Sequence, residues 1–107
     1  MVSIDDFAKM DIRVGTVTSA GPHPNADKLI VLNVDLGEPE ARQLVAGLKQ
    51  WYSPEDLIGK QIVVLANLEP AKLRGVESQG MLLAASDNAG VAVLTLNRQT
   101  APGSKVS

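Results

Sequence analysis

The sequence has 107 residues, 45% of them hydrophobic, and a formal net charge of −2 at neutral pH. This length predicts one domain, residues 1–107, with a single core. With no cysteine, the chain can form neither disulfides nor thiolate metal sites. The chain has no apolar run of membrane-spanning length, and its start, MVSIDDF, lacks the features of a signal peptide. We therefore expect a cytoplasmic protein with no membrane partner.

The first two elements are a short helix and a strand. Ser3 can cap a helix that begins after it, and Asp5 and Asp6 suit the positive end of the helix dipole. Residues 11–20 (DIRVGTVTSA) then alternate between two faces and are rich in β-branched residues, which predicts a strand. Gly15 in the middle of this strand indicates a bend or a bulge.

A turn-rich segment, GPHPNADK (residues 21–28), leads into two further strands and a second helix. The strands are LIVLNVDL (29–36) and ARQLVAGL (41–48), and the three strands together indicate an antiparallel meander. SPEDLIG (53–59) then begins with an N-cap serine and a proline at the first helical position, which predicts a helix of about two turns. We expect the adjacent Trp51 and Tyr52 to pack in the core beneath it.

The second half of the chain predicts two more strands around a long polar connection. Apolar runs at Ile62–Ala66 and Met81–Ala85 flank Asn67–Gly80, and a turn at NAG leads into a C-terminal β extension at about 91–107. Three strands, a helix and two strands form the layout of the OB-fold, an all-β five-stranded barrel. Ligands of that fold contact strands 2 and 3 and the loops after strands 1 and 4. Those loops are here residues 21–28 and 67–80.

The long connection carries two cations two positions apart. If it is extended, Lys72 and Arg74 point to one side and Leu73 points to the core. Arginine can fork two phosphate oxygens, and lysine acts as a point charge. The alternative is a solvated loop with a local ion pair such as Glu69 with Lys72.

Other polar groups could complete a nucleic-acid interface. The amide of Asn67 could read a base edge, and Met81 offers a soft apolar contact to a base. Lys28 could enlarge the basic patch. Arg42 and Arg13 either snorkel to a barrel rim or contact a nucleic-acid backbone. Ser78 is a further short polar group in the long connection.

Catalytic and metal chemistry find no support in the sequence. The single histidine, His23, is too few for a zinc site, and we expect it on the surface in a turn. We find no nucleophile–base pair and no phosphate loop, so we predict no catalytic residue, no metal and no cofactor. With only Phe7, Trp51 and Tyr52 as aromatics, recognition of structured RNA by shape fits better than base stacking.

Several segments resemble the EMAP II-type tRNA-binding domain, which occurs at the C-terminus of many methionyl-tRNA synthetases and in free-standing proteins. They are DFAKMDIRVGTV, HPNADKL, VDLGE, RQLVAGL, YSPEDLIGKQIVVLANLEPAKLRGVESQGMLLAA and PGSKV, and the resemblance covers essentially the whole chain. It implies a non-catalytic OB-fold module that binds tRNA by structure rather than sequence, alone or with a methionyl-tRNA synthetase catalytic chain. The family's contact residues carry over to Asn67, Lys72, Arg74, Ser78 and Met81, with Lys28, Arg42 and Arg13 as additions.

The resemblance also implies a homodimer and leaves one alternative function. Bacterial-type members pair through the N-terminal segment and the C-terminal extension, here Val2–Met10 and roughly Val91–Val106. Glu69 stands where relatives often carry lysine, which weakens the positive charge of the loop. The alternative is the related CsaA-type protein-export chaperone on the same fold, which would present an exposed apolar patch.

Overall fold

A computed structural model describes all residues, 1–107. It contains two short helices and nine strands. In chain order they are α1 (Ile4–Ala8), β1 (Ile12–Pro22), β2 (Ile30–Asp35), β3 (Arg42–Ala46), α2 (Pro54–Leu57), β4 (Gln61–Leu65), β5 (Ala71–Leu73), β6 (Val76–Ser78), β7 (Met81–Leu82), β8 (Ala84–Asp87) and β9 (Gly90–Val93). None of its helices combines the length and the apolar character that a membrane crossing requires.

The main sheet has five antiparallel strands in the order β3-β2-β1-β4-β7. Its two end strands, β3 and β7, also contact each other, so the sheet curls into a nearly closed barrel. The helix α2 lies between β3 and β4 along the chain, and α1 precedes β1. The predicted all-β, OB-like barrel with two short helices is confirmed.

The barrel interior is filled by alternate residues of its strands. In β2, Ile30, Leu32 and Val34 are completely buried, whereas Asn33 between them is exposed. Leu44 of β3 and Ile62 and Val64 of β4 belong to the same cluster of buried side chains. Burial of each such aliphatic side chain stabilises the fold by roughly 1.5–3 kcal/mol.

The irregularity of β1 lies three residues beyond the position that we predicted. The pairing of β1 with β2 shifts register between Val17 and Ser19, so the bulge is at Thr18 rather than at Gly15. Gly15 has a packing role instead, because a Cβ atom there would lie 2.3 Å from Val34 Cγ1 and 2.8 Å from Leu36 Cδ2. The glycine lets two fully buried side chains of the core lie against the backbone of β1.

The predicted cap of α1 is confirmed, and the segment before α2 is partly as predicted. Ser3 Oγ accepts a hydrogen bond from the Asp6 amide at 3.1 Å. Tyr52 packs against the core, and its hydroxyl accepts the Val93 amide at 3.1 Å. The prediction for Trp51 is wrong, since this side chain is 42% exposed and lies against Gly90 of the β8–β9 hairpin.

The predicted C-terminal extension, from about residue 91, supplies β9 of a hairpin and then forms a tail, whereas β8 begins within the apolar run that we predicted as the fifth strand. Strands β8 and β9 pair with each other in a separate two-stranded sheet. The tail then runs back along the start of β1, where the Val14 amide donates to Ser104 O and the Val106 amide donates to Ile12 O. The pairing of β1 with β2 begins at Thr16, so the tail supplies the missing backbone partners for the first residues of β1 on that edge.

Candidate nucleic-acid interface

The long connection between β4 and β7 contains a small hairpin that the sequence analysis did not predict. Strands β5 and β6 pair antiparallel, with Lys72 opposite Glu77, and Arg74 and Gly75 form the two-residue turn. Both turn residues have positive φ, 54° and 90°, as in the type I′ turns that suit the twist of a hairpin. The prediction that Leu73 points to the core is wrong, because this side chain is 39% exposed.

Arg74 is the only residue other than glycine with a positive φ. For an L-residue with a side chain, the left-handed conformation costs roughly 1–2 kcal/mol. The side chain of Arg74 is exposed, and its only hydrogen bond is a long one, 3.3 Å from Nη2 to Asn25 O. Lys72 is also exposed, and neither cation is in a salt bridge, so the alternative Glu69–Lys72 pair is absent.

The loop between β1 and β2 contacts the turn of this hairpin through His23. The imidazole is buried, with 6% exposure, and its Nε2 lies 2.9 Å from Leu73 O. Its Nδ1 accepts the Asn25 amide at 2.9 Å. The prediction of a surface histidine is therefore wrong, because a partner fifty positions away covers the ring.

The two loops together form a shallow basic concavity. Residues 25–29 and Arg74 line it, so the cations of Lys28 and Arg74 share one surface with the single carboxylate of Asp27. Lys49 lies beside this surface, since its amide donates to Lys28 O at 3.3 Å, and its side chain is exposed. We did not predict Lys49, because its sequence position carries no motif and only the fold brings it to Lys28.

Ser78 faces inward and serves the barrel. Its side chain is buried, its Oγ accepts the Val45 amide at 2.9 Å, and its hydroxyl donates to Gly80 O at 2.9 Å. Next to it, Gln79 Oε1 accepts the Gln43 amide at 3.0 Å, and the Gln79 amide donates to Gln43 O at 2.8 Å. We name the two bonds that the Val45 and Gln43 amides of β3 donate to the side chains of Ser78 and Gln79 the side-chain seam. The hydroxyl of Ser78 is not available to a ligand, which corrects its predicted role.

Asn67 also has a structural role in the folded chain. Its Oδ1 accepts the Asp11 amide at 2.9 Å, and its Nδ2 donates to Lys9 O at 2.7 Å. These bonds fix the connection between α1 and β1 to the end of β4. We predicted that the side-chain amide of Asn67 would read a base edge, but both its oxygen and its nitrogen are already hydrogen-bonded within the chain.

Arg42 and Arg13 are held in an ion-pair network where the long connection leaves β4 and approaches β7. Arg42 Nε and Nη2 bind the two oxygens of Glu38 at 2.8 and 2.9 Å. Its Nη1 donates to Ala66 O and Gln79 O, the residues at the two ends of the connection. Arg13 binds both oxygens of Asp11, at 2.9 and 2.8 Å, and lies 4.0 Å from Glu38.

This network shifts the ionisation of its members. The hydrogen bond from Arg13 lowers the pKa of Asp11, and the hydrogen bond from Arg42 lowers the pKa of Glu38. The hydrogen bond to Asp11 in turn raises the pKa of Arg13. Two of the predicted cations are thus neutralised by neighbouring carboxylates, whereas Lys28, Lys72 and Arg74 are not.

Met81 completes the set of predicted contact residues. It lies on β7 opposite Leu65 and is 45% exposed. Four predicted residues are therefore exposed on the surface and outside any ion pair, namely Lys28, Lys72, Arg74 and Met81. Nowhere do three His, Cys, Asp or Glu side chains come together as a metal would require.

The family model described as a putative tRNA binding domain matches residues 12–105. The chain belongs to this tRNA-binding domain family. The resemblance that we inferred from the sequence is confirmed. The match extends from the first residue of β1 into the tail, so it includes the barrel, the β5–β6 hairpin and both loops of the basic concavity.

Relatives of this tRNA-binding domain include methionine–tRNA ligases. The ligase of Thermococcus kodakarensis is 57% identical over 105 residues, which are 98% of this chain and 14% of the ligase. That of Thermotoga maritima is 53% identical over 106 residues, 99% of this chain and 17% of the ligase. The chain therefore spans only about one seventh of the length of the first of these enzymes.

Solved structures of similar size share the fold. A MetRS related protein from Pyrococcus horikoshii has a TM-score of 0.92 at 37% identity, covering 100% of this domain and 98% of that chain. The chaperone CsaA of Bacillus anthracis has a TM-score of 0.89 at 36% identity, covering 100% and 99%. The tRNA-binding domain is thus similar to proteins described in two different ways.

Proposed function

We propose that this domain is a non-catalytic module that binds tRNA by its shape and phosphates rather than by base sequence. It strengthens tRNA capture by a methionyl-tRNA synthetase catalytic chain, or it acts as a free-standing tRNA-binding protein. The family and the methionine–tRNA ligase relatives support this proposal. This chain covers 98% of the solved chain of the MetRS related protein, so the two have nearly the same length. That similarity in length supports the free-standing form.

The observation that carries the proposal is the strained, unneutralised Arg74 at the tip of a hairpin. Asparagine or glycine would occupy its left-handed conformation at lower cost. Residues held in such conformations by the surrounding structure cluster at binding and active sites. The guanidinium shares its surface with Lys28, and Lys72 adjoins on β5. Such a cluster of free cations suits RNA phosphates, while the net charge of −2 disfavours indiscriminate binding.

The test compares Lys72→Ala and Arg74→Asn with a matched control, Lys60→Ala. Lys60 is an exposed lysine between α2 and β4 that makes no salt bridge and lies outside both the hairpin and the proposed dimer interface. Binding of several tRNAs is measured against salt concentration. We expect each loop variant to bind all tRNAs about tenfold more weakly and to reduce the slope of log K against log salt by about 1. The proposal fails if both loop variants behave like the control.

A second candidate function is binding of unfolded polypeptide. Its support is the similarity to the chaperone CsaA of Bacillus anthracis and the exposed apolar side chains of Leu68, Leu73 and Met81. Binding through apolar contacts would depend weakly on salt. A reduced, unfolded peptide that binds with no salt dependence, and that competes with tRNA, would favour this candidate.

We also propose that the domain forms a homodimer through α1 and the C-terminal extension. The helix α1 buries none of its residues, and Val2 and Ile4 are 74% and 78% exposed. We expect sedimentation equilibrium to give twice the chain mass for the wild type and the monomer mass for Ile4→Asp. An unchanged mass in this variant would show that α1 does not form the interface.

A further inference from the structure

His23 connects the two loops of the basic concavity. It is the only histidine, and its buried ring bonds the β1–β2 loop at Asn25 and the hairpin turn at Leu73. Since Nδ1 accepts the Asn25 amide, Nε2 carries the ring proton and donates it to Leu73 O. Both ring nitrogens are therefore used, and neither is available to a ligand.

Leu73 is the residue immediately before Arg74. Its carbonyl belongs to the peptide unit that leads into the left-handed turn residue. The Arg74 side chain donates to Asn25 O in the same loop, so the loop is bonded to the turn at two consecutive residues, Leu73 and Arg74. Because the bond to His23 fixes the Leu73 carbonyl, it limits rotation of the peptide unit between Leu73 and Arg74. Such a rotation would relieve the strain at Arg74.

We propose that His23 is a positioning residue for tRNA binding, acting through its Nε2–H bond to Leu73 O. This bond holds the β5–β6 turn against the β1–β2 loop and presents Arg74 beside Lys28, with Lys72 two residues before Arg74 on β5. The inference rests on the proposed tRNA-binding function. It assigns to His23 no contact with RNA, because the ring is buried beneath the turn.

Two uncharged variants separate the two bonds of the ring. The side-chain amide of glutamine reaches the position of Nε2, so His23→Gln keeps a donor for Leu73 O. Asparagine reaches the position of Nδ1, so His23→Asn keeps an acceptor for the Asn25 amide and leaves Leu73 O without its donor. We expect His23→Asn to weaken tRNA binding on the order of tenfold and His23→Gln less than about threefold.

A double-mutant cycle tests whether His23 acts through the cations of the turn. Both His23 variants are made in the wild type and in the Lys72→Ala/Arg74→Asn background, with folding checked by circular dichroism. If His23 only positions those cations, His23→Asn has no further effect in that background. An equal loss in both backgrounds, or a loss in His23→Gln as large as in His23→Asn, overturns the inference.

The remaining outcomes distinguish failure of the proposed function from failure of the positioning role of His23. If the Lys72→Ala/Arg74→Asn protein binds tRNA like the wild type, the proposed function itself fails. If it binds weakly while His23→Asn is additive with it, only the positioning role fails. Should His23→Asn not fold, His23→Gln decides alone, since a tenfold loss in that variant contradicts the Nε2 bond. A long-range ¹⁵N spectrum of the wild type that shows a proton on Nδ1 overturns the inference without any variant.

Discussion

Replacement of Ser78 by alanine tests the side-chain seam most directly. In the wild type, Ser78 Oγ accepts the amide of Val45, and its hydroxyl donates to Gly80 O, both at 2.9 Å. Alanine removes both bonds at once. Because Ser78 is 5% exposed and Val45 is 7% exposed, water has little access to the amide that loses its partner.

The expected loss of stability follows from that burial. A buried donor left without a partner costs about 1–3 kcal/mol, and the Gly80 carbonyl loses a donor as well. We therefore expect Ser78→Ala to lower the free energy of unfolding by about 2–3 kcal/mol. For a domain of this size, that loss corresponds to a fall in the melting temperature of about 9–13 °C.

The assay is urea unfolding followed by circular dichroism, with Ser86→Ala as the matched control. Ser86 is an exposed residue of β8 with no side-chain hydrogen bond, so its replacement is expected to change stability by less than about 0.5 kcal/mol. At temperatures where Ser78→Ala stays folded, the salt slope of its tRNA binding is expected to match that of the wild type. Equal stability of the two variants would refute the seam, and a reduced slope would restore Ser78 as a contact residue.

Two further predictions concern the core and the ion-pair network. Gly15→Ala is expected to destabilise the fold by about 1–3 kcal/mol in thermal unfolding, because the new methyl group overlaps Val34 and Leu36. Gly21→Ala, whose Cβ would meet nothing within 4 Å, is the control, and equal melting temperatures would contradict the close packing at Gly15. For Glu38, the folded-state pKa is lowered by Arg42, so its stabilisation is present at neutral pH and is lost as the pH falls below about 4.5. Glu38→Gln is expected to be less stable at pH 7 and to lose less stability between pH 6 and pH 3, and parallel pH profiles for the two proteins would contradict this.

Much of the fold was predictable because its signals are local. Alternating burial along β2, the Ser3 cap and the turn between β8 and β9 all arise from residues within a few positions of each other. The β5–β6 hairpin has no such signal. All three residues of β5 are exposed, so they show no alternation, and its turn is Arg-Gly rather than the usual Asn-Gly.

The candidate site was only partly predictable, because its geometry depends on contacts between distant segments. The residue types of the loop indicated a basic surface, but not which side chains remain free. Asn67 bonds residues 56 and 58 positions away, and Ser78 bonds Val45, 33 positions away. No pattern within the long connection reveals these partners. His23 was misplaced for the same reason, since its Leu73 partner is 50 positions away.

The side-chain seam has a consequence for how this protein can vary. A backbone ladder accepts almost any sequence, because every residue except proline supplies the same donor and acceptor. A junction made by one hydroxyl and one carboxamide depends on the identity of those two residues. The turn of the β5–β6 hairpin lies outside this junction. We therefore expect changes in the length or composition of that turn to leave the barrel closed, whereas changes at Ser78 or Gln79 open the contact with β3.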